Sequence, residues 1–208
     1  GLDQRWRRHA VGALLQDNPA KALDIGAGTG DLSLLLAQQA PGLLITAADF
    51  SRPMLNVLTQ RSTSLGLTQQ IHAVEADAAD LPFEDESFDA VGTAFAFRNL
   101  IWKNPNSDKH LKEIHRVTKS GGAFVAVETS QPNSRFWRTG FHLWMRCVAG
   151  PLGGLLSRQQ AAYRYLATSA VNFYTPEEIK TLLLETGFAS VEQTSLFGGV
   201  ACVHRAYR

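Results

Sequence analysis

Two cysteines, Cys147 and Cys202, are the only thiols in 208 residues, and they stand far apart in apolar surroundings. No disulfide framework is expected, and both read as reduced residues of a cytoplasmic protein. No run of about 18 apolar residues occurs, so no transmembrane helix is expected, and no signal-peptide pattern opens the chain. Charge of either sign is not in excess: 20 Lys and Arg face 19 Asp and Glu, for a net +1. That balance excludes a nucleic-acid binder working by charge density. The six histidines (His9, His72, His110, His115, His142 and His204) include no H-E-x-x-H, and there is no C-x-x-C. No metal site is expected. Repeats and low-complexity segments are absent as well. At this length the chain suits a single domain, residues 1–208, with an appended lid.

What is present centres on residues 21–31, KALDIGAGTGD. Leu23 and Ile25 mark a short buried strand carrying Asp24. Gly26, Gly28 and Gly30 then turn the chain into an apolar helix. Glycine suits such a turn because it takes positive φ and keeps no side chain between a ligand and the backbone, while the free N–H groups of the helix start form a polar, slightly positive cradle. The spacing is G-x-G-x-G. A dinucleotide loop is spaced G-x-G-x-x-G, and a triphosphate loop needs G-x-x-x-x-G-K-S/T. An acid before the turn suits a ligand with a cationic amino-acid end, such as S-adenosylmethionine. A ligand-free glycine turn is the plain alternative.

The rest of the chain alternates. Residues 2–16 place Trp6, Ala10, Ala13 and Leu14 at helical spacing among Arg5, Arg7 and Arg8, an amphipathic helix ahead of the first strand. A second strand over 43–47 runs to Asp49, an acid about 20 residues past the loop and placed for a ribose hydroxyl pair. Ser51 is expected to cap the next helix, with Pro53 in its first turn. Strand three, 71–74, leads to Asp77 and Ala78, read as an acceptor for an adenine amino group and room for its ring. Strand four spans 88–94. A helix over 109–118 is expected to stop at Ser120-Gly121-Gly122, before strand five over 123–127. Alternation of this kind implies a parallel sheet with helices on both faces, and a ligand crevice at the carboxyl ends of the strands.

After strand five the pattern breaks into helices over 134–149 and 157–169, then a helix from Thr175-Pro176 to Gly187 and two short strands, 190–195 and 200–207. On the first helix Arg135, Arg138, His142 and Arg146 share one face, and Trp137, Phe141, Trp144 and Val148 another. A basic, aromatic helix of this kind can lie on an anionic membrane surface, or serve as a lid.

With these stretches in hand the chain resembles the ubiquinone/menaquinone biosynthesis C-methyltransferases, within the class I S-adenosylmethionine-dependent methyltransferases. The resemblance is carried by LDIGAGTGDL (23–32), DFSRPML (49–55), DAADLPFEDESF (77–88), FAFRN (95–99), ETSQP (128–132), YRYLA (163–167) and GGVACVHR (198–205). It implies a Rossmann-like sheet of seven strands, mostly parallel with the last antiparallel, helices on both faces, and residues 133–170 as a helical lid. It implies S-adenosylmethionine bound by Asp24, Gly26, Gly28, Thr29, Gly30, Asp49, Phe50, Met54, Asp77, Ala78 and Phe95, with S-adenosylhomocysteine as product. The implied reaction methylates the ring of a prenylated quinol. Arg98 would hold the phenolate, since guanidinium stays charged, unless it forms a structural ion pair with Glu128 or Asp77. Asn99 would orient the oxygen or a water. Glu128 and His142 are candidate proton acceptors, and Tyr163 and Tyr165 candidate contacts of the quinol head. E-T-S-Q-P favours the menaquinone branch, hence demethylmenaquinol. Relative to the family pattern the chain starts past an N-terminal segment that helps close over the cofactor, and residues 101–108 are longer and more polar.

Three rivals stand beside this reading: a nicotinamide oxidoreductase, a methyltransferase of another small molecule such as a ubiquinone precursor, and a catalytically silent assembly partner that binds the cofactor. Peripheral membrane contact through 134–149 and self-association both fit the sequence.

Overall fold

The computed structural model describes residues 2–132, 139–140 and 172–208. Helix α1 (Leu2–Leu14) precedes β1 (Lys21–Ile25), α2 (Asp31–Gln39), β2 (Leu44–Asp49), α3 (Arg52–Ser64) and β3 (Ile71–Glu75). Then come β4 (Phe88–Ala94), α4 (Phe97–Ile101), α5 (Ser107–Val117) and β5 (Thr118–Thr129), followed by α6 (Pro176–Thr186), β6 (Ser190–Leu196) and β7 (Ala201–Tyr207).

The strands form one sheet in the order β3-β2-β1-β4-β5-β7-β6. β1 to β5 pair in parallel, and β7 runs antiparallel to both β5 and β6. Helices cover both faces, so the inner strands are apolar along their length: Ala22 to Ile25 of β1 and Ala123 to Val127 of β5 are buried without a break. One face packs Leu14 of α1, Leu32 and Leu36 of α2 and Leu58 of α3; the other packs Phe97 of α4, Ile114 of α5 and Leu183 of α6. Strand order reverses at β1, which lies between β2 and β4. That switch opens the crevice at the carboxyl ends where β1 and β4 diverge.

Most expected elements are present, with instructive differences. α1 stops at Leu14 rather than residue 16. Just past its end Gln16 and Asp17 bind β7 instead, with Gln16 accepting from Arg205 at 2.7 Å and Asp17 ion-paired to the same guanidinium. Helix α5 passes into β5 at Thr118 without the expected glycine stop. Ser120, Gly121 and Gly122 belong to the strand, in a register shift between Phe88 and Ala90, and Gly121 and Gly122 exchange hydrogen bonds with Arg208. The glycines mark a bulge, the other use a sheet makes of them. Ser51 occupies the N-cap of α3, but its hydroxyl makes no cap bond; its backbone N–H donates to Asp49 instead. At α6 the sequence signal is fulfilled in full: Thr175 Oγ1 accepts from the Glu178 N–H, and Glu178 Oε2 accepts from the Thr175 N–H at 2.7 Å.

The expected helices over 134–149 and 157–169, with Cys147, His142, Tyr163 and Tyr165, lie outside the described residues, apart from 139–140. Among the described residues no helix is long and apolar enough to cross a membrane. Cys202 is free and buried, and burial pushes its thiol up to about 12, which leaves it inert.

Candidate active site

The end of β1 is tied to β2 through the backbone: the N–H groups of Gly26 and Ala27 both donate to the carbonyl of Ala48, at 2.9 and 3.1 Å. The chain then turns through Gly26 (φ +67°) and Gly28 (φ +56°). A Cβ on Gly26 would fall 2.6 Å from that of Ala96, so this glycine permits the close approach of the β4–α4 turn. Gly30 serves packing as well, because a Cβ there would meet Leu58 of α3 at 2.7 Å. Gly30 therefore seats α2 against α3 and lines neither of the cavities described below.

Asp49, at the end of β2, fastens the loop. Its Oδ2 accepts from the Gly28 N–H and its Oδ1 from the Ser51 N–H, each at 2.8 Å. Asp24 is fully buried on β1. Its Oδ2 accepts from the Ser33 N–H at 3.1 Å and hydroxyl at 2.6 Å, while Oδ1 has no partner among the described residues. Burial raises its carboxyl to about 7, despite the opposing bonds from Ser33 and the positive charge of Arg7, and the nearby Asp49 pushes the same way as burial.

Two cavities flank the glycine loop and share Gly26, Gly28, Met54 and Ala96 in their walls. The first, about 270 Å³, is bounded by Asp49, Phe50, Ala78 and, opposite them, Asn99 and Leu100. Its wall is mainly apolar. Phe50 is 81% exposed and Met54 half exposed, two large apolar side chains standing open at one mouth. The second, about 280 Å³, is bounded by Asp24, Thr29, Asp31, Phe95 and Arg7 of α1. The Thr29 carbonyl is fixed by Arg61 Nη1 at 2.7 Å.

Phe95 sits at the turn out of β4 with φ +61°, a conformation that costs a bulky residue on the order of 1 kcal/mol or more. Its N–H donates to Val127 at 2.9 Å, and its ring lies 6.1 Å from that of Trp6 with the Arg7 guanidinium 4.9 Å above it. The sequence offered no sign that α1 reaches the loop. The whole of β1 lies between them in the chain, and only folding brings them together.

Two of the expected side chains stand away from the cavity walls. Asp77 does not line the first cavity: its side chain is 69% exposed, Oδ1 accepts from its own Ala79 N–H at 2.9 Å, and His110 Nε2 stands 3.9 Å away. Its neighbours Ala76 and Ala78 line the wall in its place. Arg98 does not face the cavity as a free cation either. It is 4% exposed, with Nη1 donating to Thr129 Oγ1 at 2.7 Å and lying 3.6 Å from Glu128 Oε1. Glu128 also accepts from the Arg98 backbone N–H at 3.1 Å and from the Thr129 N–H at 2.8 Å. The ion pair weighed as the alternative for Arg98 is what the fold contains, with Glu128 and not with Asp77. Asn99, the next residue, is exposed and lines the first cavity.

A sheet of this order with one antiparallel strand, a G-x-G-x-G turn after β1 and an acid ending β2 defines a class I methyltransferase fold. Human N-acetylserotonin methyltransferase, solved with S-adenosylmethionine, superposes with a TM-score of 0.68 at 20% identity, over 100% of this chain and 53% of that one. The chain belongs to the ubiE/COQ5 methyltransferase family, whose model matches residues 1–208. Similar proteins include a demethylmenaquinone methyltransferase of Thermus thermophilus, 40% identical over 98% of this chain and 90% of its own length. The ubiquinone/menaquinone biosynthesis C-methyltransferase UbiE of Geotalea uraniireducens is 34% identical, over 98% and 85%.

Proposed function

We propose that the protein is an S-adenosylmethionine-dependent C-methyltransferase that converts demethylmenaquinol, carrying a prenyl tail, to menaquinol. The observation that carries this reading is the pair of cavities on either side of one glycine loop, one mainly apolar and one bearing a buried carboxylate with an oxygen unpartnered among the described residues. A ligand with a nucleoside at one end and a cationic amino acid at the other fits that division. Relatives named for demethylmenaquinone support the acceptor.

When bound, S-adenosylmethionine supplies an electrophilic methyl group. In our reading Asp24 holds its ammonium, Gly26, Gly28 and Thr29 offer the backbone surface beside it, and Asp49 takes the ribose hydroxyls with its remaining lone pairs. Phe50 and Met54 cover the adenine, Ala78 leaves room for it, and Asp77, on the rim, is assigned its amino group. Phe95 supports the amino-acid end.

A quinol ring carbon becomes nucleophilic as a neighbouring hydroxyl loses its proton. Asn99 is the residue we assign to that oxygen, directly or through a water. Arg98 stands behind it, with Nε unpartnered among the described residues, and favours the phenolate by its charge. Glu128 tempers that charge and is too fully bonded to serve as the proton acceptor. Holding carbon and methyl in line contributes several kcal/mol more. Residues 133–170 are proposed to cover the acceptor end, with 134–149 bringing a cytoplasmic enzyme to the membrane where a lipid-tailed quinol resides.

The test is mass spectrometry of reduced demethylmenaquinol and the corresponding demethylated benzoquinol, each incubated with the protein and S-adenosylmethionine. One methyl gained on the naphthoquinol ring carbon alone is expected. Methyl on the benzoquinol alone would overturn the branch, and methyl on neither would overturn the acceptor class.

A further inference from the structure

We infer that Arg7 of α1 binds the carboxylate of the cofactor's amino-acid end, opposite Asp24, so that the helix preceding the sheet is part of the cofactor site; this rests on the cofactor assigned above. Two acids and one guanidinium stand in the wall of the second cavity: Asp31 is paired with Arg61, while Asp24 has a buried oxygen without a partner among the described residues. Asp24 and Arg7 together match both charges of a zwitterionic α-amino acid.

Arg7 is only weakly committed elsewhere. Its Nη1 meets Asp3 at 2.9 Å, but Asp3 lies one turn away on the same helix and is 54% exposed, an arrangement that holds a cation lightly. Its Nη2 is 3.6 Å from Asp31, and Asp31 is bonded more closely, at 2.8 Å, by Arg61. The Arg7 side chain is 14% exposed, and its guanidinium carbon lies over Phe95, 4.9 Å from the ring centroid. Such a platform fixes a planar cation while leaving its edge free for a carboxylate fork. The strained backbone of Phe95 then has a use, since it turns the ring toward α1. Arg7 and Asp24 also sense one another, as the charge of Arg7 opposes the rise of the Asp24 carboxyl.

The experiment compares two ligands by calorimetric titration: S-adenosylhomocysteine, with its amino-acid end, and 5′-methylthioadenosine, the same thioether nucleoside without it. Arg7→Met is expected to weaken S-adenosylhomocysteine about tenfold or more and methylthioadenosine by less than about twofold. Arg7→Lys, which keeps the charge and stem, should recover part of the loss. Equal weakening of both ligands would overturn the inference in favour of a packing role through Phe95. Unchanged affinity for both ligands would overturn it outright. Failure of the unaltered protein to bind S-adenosylhomocysteine would overturn the cofactor assignment, and the inference with it.

Discussion

Glu128 Oε2 accepts the backbone N–H of Arg98 at 3.1 Å while its other oxygen faces the Arg98 guanidinium at 3.6 Å. One carboxylate at the end of β5 thus holds both the first turn of α4 and the charge that α4 carries. Removing the cation strands that carboxylate in the interior, where an unpaired charge costs about 3–5 kcal/mol. Arg98→Ala should therefore lower the urea midpoint. Methyl transfer should fall in the folded protein while the affinity for S-adenosylhomocysteine stays nearly unchanged. Glu128→Gln keeps an acceptor for the N–H and is expected to destabilise less. Loss of cofactor binding in Arg98→Ala would remove Arg98 from the acceptor side of the site.

Gly28 tests the loop without disturbing the core. A Cβ there has only Met54 Sδ in reach, at 3.7 Å, so there is space, but the space belongs to the cavities and φ is +56°. Gly28→Val should abolish cofactor binding by at least about a hundredfold and cost on the order of 1–3 kcal/mol in backbone strain. A thermal-shift titration with S-adenosylhomocysteine reads both effects. Normal ligand stabilisation would disprove the loop assignment.

The Asp24 carboxyl titrates near 7 in the free protein, and only its ionised form attracts an ammonium. Affinity for S-adenosylhomocysteine should rise with pH and level off above about 7. Asp24→Asn should bind weakly with a flat profile. A wild-type profile flat from pH 5.5 to 8 would show that Asp24 takes no part in holding the ammonium.

His204 is expected to weaken the fold in acid. It is buried on β7, neither ring nitrogen has a partner among the described residues, and burial lowers its pKa to about 4. Between the ordinary value of 6.5 and about 4 the unfolded chain binds the extra proton, so stability falls as pH drops through that window. Asp24 acts in the opposite sense, because its raised pKa makes the folded state the better proton binder between about 3.8 and 7. His204→Phe should flatten the acid loss in Tm, and Asp24→Asn should deepen it. An unchanged slope in His204→Phe would remove the imidazole as the source.

The alternation of strand and helix and the G-x-G-x-G turn were legible because each is a local pattern: buried parallel strands are apolar throughout, and a tight turn needs glycine. The α5–β5 junction was misread for a local reason as well, since Ser120-Gly121-Gly122 looks the same whether it ends a helix or bulges a strand. The place of β7 between β5 and β6, and the pairing of Thr118 with Phe88, decide between the two.

The sequence by itself determined the sheet's class, the family, and the loop with its two acids, because those depend on residue types at short spacing. Only the tertiary structure decided what those residues face. It buried Arg98 against Glu128, left Asp77 in solvent, and laid Arg7 and Trp6 over Phe95. Each of these depends on how segments far apart in the chain pack, because that packing sets burial, exposure and charge pairing.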